Sequence, residues 1–185
     1  RAEMLEVLRT DYIKFARARG LHNRAVNFGH ALKNTLVPVG PLTNIALALL
    51  LEPRIAENVA EVVIMGGAAL VNGNVNPAAE ANIIHDPHAA DLVFGAHWPV
   101  TMVGLDVTTK TTMSETYLAS LRDRGGRTAK FIWDISRFYE DFHYQMTQER
   151  AIHTHDPSAI AYVIDPALFK TIRGPVRVVT EGIAK

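Results

Sequence analysis

An α/β fold, with an open, mainly parallel sheet flanked by helices, is the class this sequence predicts. Short apolar, strand-like runs alternate along the chain with segments of helical periodicity, the pattern of strand–helix–strand units. The clearest run, EVVIMGGA at 61–68, is apolar and β-branched and stops at two glycines. A length of 185 residues, 48% hydrophobic and 21% charged, suffices for one substantial core, read here as a single domain over 1–185.

The elements follow in order. AEMLEVLRTDYIKFARARG (2–20) has Met4, Leu5, Leu8, Tyr12 and Phe15 at helical spacing and Gly20 as a stop. TLVPVGP (35–41) reads as a short strand made imperfect by Pro38, and LTNIALALLLEP (42–53) as a buried helix ended by Pro53, with winding resumed in RIAENVA. After the 61–68 strand, 69–85 reads as a long polar loop, 87–95 as a helix and PVTMVGLDV (99–107) as a strand. Ser114 and Glu115 open a helix that Gly125 and Gly126 close. An aromatic-rich helix over 129–148, a helix after His155, and a last strand PVRVVT (175–180) complete the pattern. In open sheets of this class ligands sit at the C-terminal ends of the strands. The loops after Val39, Met65 and Val107, and the one before Asp156, are therefore the places to search.

Composition excludes several functions. Lys plus Arg and Asp plus Glu are equal at 19 each and scattered, which gives no reason to expect nucleic acid or an anionic membrane as partner. No cysteine is present, so disulfides, thiolate metal sites and cysteine nucleophiles are excluded. The longest apolar run, IALALLL, is far short of the roughly 18 residues of a membrane span. A cytoplasmic protein is the expectation.

Two stretches invite a chemical reading. MGGAALVNGNVNPAAEANI (65–83) has glycines that let a backbone turn sharply, then Asn74, Glu80 and Asn82, whose groups suit a polyhydroxylated ligand. Turn-forming asparagines in a surface loop explain the same composition. His-Asp-Pro occurs twice, at 85–87 and 155–157. Asp followed by Pro is a good helix opening, so both copies can be caps, and their spelling does not distinguish cap from catalyst.

VGPLTNIALALLLEP, VVIMGGA, GNVNPAAEANIIHDPHAADLVF, VTMVGLDVT and HDPSAIAYVIDPALF fall in an order that resembles the nucleoside hydrolases of the inosine/uridine-preferring type, over about 36–179. The resemblance implies cleavage of the N-glycosidic bond of ribonucleosides in purine and pyrimidine nucleoside catabolism, one Ca²⁺ at the pocket floor, and a homo-oligomer, dimer or tetramer. Carried over by residue, Thr43 matches the threonine whose backbone carbonyl faces the metal, and Asp156 a calcium carboxylate. Asn82 matches a 3′-hydroxyl contact, Asn74 and Glu80 the grip on the 5′-hydroxyl, and Met65 a methionine packed near the sugar. His155 matches a histidine beside the leaving base, a general acid expected near its ordinary pKa. For His85 the cap reading stands.

The family's aspartate cluster, D-x-D-P-G-x-D-D, is not found: the nine aspartates are dispersed, and the resemblance is incomplete at both ends. The chain is expected to be a piece of such an enzyme or a divergent form without the metal centre, nearly inactive by itself. A non-catalytic nucleoside- or ribose-binding module, or a structural fragment, are the alternatives. Ala81 stands where an aromatic residue is common, which loosens the expected sugar pocket. Tyr139, Phe142, His143 and Tyr144 occupy a region where the family places base contacts; burial of an aromatic helix face is the favoured reading.

Overall fold

A computed structural model of the chain describes residues 34–182, so the helix expected over 2–20 lies outside the described residues. Three parallel strands form the main sheet in the order β1 (Thr35–Leu36), β2 (Glu61–Met65), β3 (Val100–Val103), with Val62 beside Val100 and Met65 beside Val103. β2 is central because every second residue finds cover on a different face. Val62 and Ile64 pack with Leu42, Ala46, Ala89, Ala90, Val93 and Trp98 on one side. Val63 and Met65 pack with Val103, Leu105 and Ala159 on the other. Fully burying a side chain of this size stabilises by about 1.5–3 kcal/mol.

The first face is covered by α1 (Thr43–Leu51) and α4 (Pro87–Phe94); the second receives α8 (His155–Ile164). Between β1 and β3 lie also α2 (Ile55–Asn58), the resumed winding after Pro53, and α3 (Ala81–His85). After β3 come α5 (Leu105–Thr108), β4 (Thr112–Ser114), α6 (Glu115–Arg124), α7 (Gly126–Thr147) and β5 (Ala151–His153). β4 and β5 form a separate antiparallel pair, with Thr112 opposite His153. Ser114 caps α6 by accepting from the Tyr117 N–H at 3.2 Å.

Several expectations are corrected. The strand expected over 35–41 pairs only at Thr35–Leu36, although the Pro38 carbonyl still accepts the Met65 N–H at 3.0 Å. The one expected over 99–107 ends at Val103, because Gly104 turns the chain into α5. Residues 175–180 form no strand: Val178 packs on the first core and Arg177 pairs with Asp91, with no ladder. The polar stretch 69–85 ends in α3 rather than staying irregular. Gly126, with φ of 67°, starts α7 instead of closing α6. α1 is not buried throughout: Leu42 and Ala46 face the sheet, while Leu47, Leu50 and Leu51 are exposed.

α7 is fixed by charge as much as by packing. The guanidinium groups of Arg122 and Arg137 lie over the Trp133 ring, 4.5 and 3.5 Å from its centroid. Glu140, fully buried, receives Arg137 at 2.6 Å and Arg150 at 3.3 Å. Because Arg150 immediately precedes β5, this network anchors the strand that leads into the second His-Asp-Pro.

Candidate active site

The site is built at the C-terminal end of β2. Gly66 and Gly67 follow Met65, and Gly67 has φ of 86°. A Cβ on Gly67 would stand 2.7 Å from the Met102 sulfur, and one on Gly104 2.7 Å from the Gly67 carbonyl oxygen, which accepts the Leu105 N–H. The two strand ends thus meet through glycine backbones. Asp106 fastens the chain beyond them, accepting from the Leu70 and Ala69 N–H groups at 2.7 and 3.0 Å.

Glu80 returns the loop to the same point. Its carboxylate is buried, and one oxygen accepts N–H groups of Gly67 at 2.9 Å, Asn82 at 3.0 Å and Ile83 at 3.3 Å. It therefore caps α3 and clamps the Gly66–Gly67 turn together. Asn82 donates its amide to the Met65 carbonyl at 3.1 Å, and Asn74 accepts the Ala81 N–H at 2.9 Å. Met65, Asn74, Glu80 and Asn82 are joined into one patch.

The two His-Asp-Pro copies fold differently. Asp86 accepts the Ala89 N–H at 3.0 Å and the Thr43 hydroxyl at 2.5 Å, so it caps α4 and ties it to α1. The Thr43 hydroxyl and the Ala89 N–H hold Asp86 below the usual carboxylate range. His85 turns its Nδ1 to the Ala81 carbonyl at 2.5 Å. In the second copy Thr154 is the cap position, and the Asp156 carboxylate makes no capping hydrogen bond. Much of residue 156 is open to solvent, yet the carboxylate is sheltered enough that desolvation, then the negative charge of Glu80, raise its pKa. Asp156 stands at the start of α8, which packs on Val63 and Met65 of β2, the strand whose terminal turn Glu80 clamps. Burial and then Asp156 raise the pKa of Tyr139 on α7.

His155 opens α8, which Ala159 seats against Val63 and Met65. Its Nδ1 lies 2.8 Å from the hydroxyl of Thr108, a fully buried side chain on α5. Its ring stands 5.4 Å from that of His153, which is 4.7 Å from His143. Burial, then His153 and His143, lower the His155 pKa to about 4. The expectation of an ordinary histidine pKa is thereby corrected: at neutral pH the ring is uncharged. The same causes, burial and His153, lower His143. The aromatic face of α7 is divided rather than buried, with Tyr139 and His143 turned inward and Phe138 and Phe142 exposed.

The donors for a divalent cation are sparse. Among the described residues the Asp156 carboxylate has no hydrogen-bond partner. Thr43, whose carbonyl was the expected donor, is the first residue of α1, and its side chain is tied to Asp86 of the other His-Asp-Pro. Among the described residues no three His, Cys, Asp or Glu side chains gather closely enough to hold a metal ion. The described residues therefore do not fit a complete calcium site.

Thr108, Asp106 and His153 carry this geometry without any claim in the sequence reading. The run GLDVT held a signal, a polar Asp and Thr directly beyond a strand end where ligands gather.

The inosine-uridine preferring nucleoside hydrolase family model matches residues 11–185. Uridine nucleosidase 1 of Arabidopsis thaliana is 43% identical over 149 residues, 80% of this chain and 44% of that protein. The inosine-uridine preferring nucleoside hydrolase of Leishmania major is 45% identical over 148 residues, 80% and 46% of the two chains. A purine-preferring ribonucleoside hydrolase from Gardnerella vaginalis superposes with a TM-score of 0.78 at 36% identity, covering 88% of this chain and 53% of the other. The chain thus spans about half the length of the relatives it matches. It belongs to the inosine-uridine preferring nucleoside hydrolase family.

Proposed function

We propose that this site serves hydrolysis of the N-glycosidic bond of ribonucleosides, releasing ribose and a free base. Water forms the new C–O bond at C1′ and gives up one proton, the electrons of the broken C–N bond pass to the base, and the base takes up one proton, so that one water is consumed. The observation that carries the reading is that the turn after Met65, held by Glu80 and Asn82, and the helix that begins with His155 and Asp156 pack together through Met65 and Ala159.

In this reading Asn74, Glu80 and Asn82 hold the sugar hydroxyls and Met65 packs beside the ring. Both asparagines keep polar atoms beyond those engaged with the backbone, and Glu80 keeps a second carboxylate oxygen. His155 hydrogen-bonds the departing base. Being neutral at rest, it responds to the negative charge that develops on the base, which raises its proton affinity during cleavage. Of the donors that Ca²⁺ would need, the resemblance implies only the Asp156 carboxylate and the Thr43 carbonyl among the described residues. Those two donors are too few, so the chain by itself is expected to turn over slowly. The natural setting of the reading is a cytoplasmic homodimer or tetramer acting on small-molecule nucleosides, with the chain forming one α/β domain.

Chromatography of the base released from uridine and inosine tests the proposal. The expected outcome is slow release that Asp156→Asn abolishes. Release that ignores Asp156→Asn, or nucleoside binding with no release at all, overturns it; the latter favours a binding module.

A further inference from the structure

We propose that Thr108 is a positioning residue for His155, fixing the tautomer in which Nδ1 is bare and Nε2 carries the proton. Thr108 is fully buried on α5, and among the described residues its hydroxyl has one hydrogen-bond partner, His155 Nδ1 at 2.8 Å. A hydroxyl can accept as well as donate, but its own proton still needs an acceptor. If Nδ1–H donated to the Thr108 oxygen, the hydroxyl proton would be buried with nothing to receive it, a costly arrangement. Donation from Thr108 to a bare Nδ1 satisfies both groups. The proton of the neutral ring then sits on Nε2, the nitrogen pointing away from α5.

The surroundings hold Thr108 where this requires. Its N–H is bonded to the Gly104 carbonyl at 3.1 Å, and its carbonyl receives the Thr111 hydroxyl at 3.0 Å. Thr111 in turn meets the Ser158 hydroxyl at 3.0 Å, and its carbonyl takes both the N–H and the hydroxyl of Thr154 at 2.9 and 3.0 Å. The segment after β3 and the start of α8 are therefore stitched together on both sides of the His155–Thr108 bond. The ring's other nitrogen is left as the donor available to a ligand.

The consequence for cleavage rests on the function proposed above, in which His155 donates to the leaving base; the tautomer itself does not. The test is the long-range proton–nitrogen correlation spectrum of the histidine rings in the 185-residue chain, above neutral pH, with His155 identified by loss of its signals in His155→Gln. The expected pattern is a predominantly Nε2–H ring in the wild type and in Thr108→Ser, which keeps the hydroxyl. In Thr108→Val, or in Thr108→Ala should the valine variant not fold, that preference is lost and the signals shift toward a tautomer mixture. A folded wild type with an Nδ1–H ring overturns the proposal, as does an unchanged pattern in the variant lacking the hydroxyl. Base release measured on the same variants separates the two ideas. A tautomer change without slower release leaves Thr108 as the positioning residue and removes His155 as the donor to the base.

Discussion

Gly67 bears the most backbone strain for any other residue at the site. With φ of 86° and the Met102 sulfur where a Cβ would be, Gly67→Ala is expected to destabilise the fold by roughly 1–3 kcal/mol, read as a lower denaturant midpoint. Glu80→Ala orphans donors instead: the N–H groups of Gly67, Asn82 and Ile83 lose their acceptor, at about 1–3 kcal/mol for each that stays buried and unpaired. Glu80→Gln retains one oxygen and should cost less. The histidines give a pH dependence of definite sign. His143 and His155 have depressed pKa values in the fold, so as the pH falls below the ordinary histidine range the unfolded chain takes up protons that the native state refuses. Stability is therefore full above that range and declines as the pH drops toward about 4. His143→Gln, followed by thermal melts across that interval, should flatten the decline; an unchanged slope contradicts the assignment.

Identical spelling at 85–87 and 155–157 produces different helix starts, and stability measurements can separate them. Asp86→Ala removes the cap of α4 and the partner of Thr43, an expected loss of about 0.5–2 kcal/mol. Asp156→Ala removes no cap and relieves a carboxylate whose charge burial and Glu80 disfavour, so stability should hold or rise slightly. Equal losses at the two positions would refute the distinction. The elements divide in the same way between what the sequence revealed and what it hid. β2 was legible because an apolar β-branched run ended by two glycines has few alternatives. β4 and β5 were not, since three-residue strands such as Thr112–Ser114 have no periodicity to read and form only because α6, α7 and the Glu140–arginine network bring them together. The apolar pattern of 175–180 suggested a strand, but Val178 settles on the core without a neighbour to pair with. Asn74, Glu80 and Asn82 could be picked out together because they share one local stretch, whereas Met65 entered only through the resemblance. Thr108 and Asp106 gain their roles only when β2 and β3 lie side by side, which no spacing announces.

At the scale of the whole molecule, a chain spanning about half the length of its relatives still joins Met65, Asn74, Glu80 and Asn82 at the end of one parallel sheet. Donors for a cation are sparse: no three-residue ligand group occurs among the described residues. Millimolar Ca²⁺ is therefore expected to leave the Tm of the 185-residue chain unchanged, because a ligand stabilises only what it binds. A clear rise would mean that donors outside the described residues complete the site. The central claim, that residues remote in sequence converge on a pentose, is tested most directly by titrating the chain with uridine while following backbone amide resonances. The account expects saturable shifts at Asn74, Glu80, Asn82, His155 and Asp156 together. Saturable binding that leaves those five unmoved, or no binding at any attainable concentration, would contradict it.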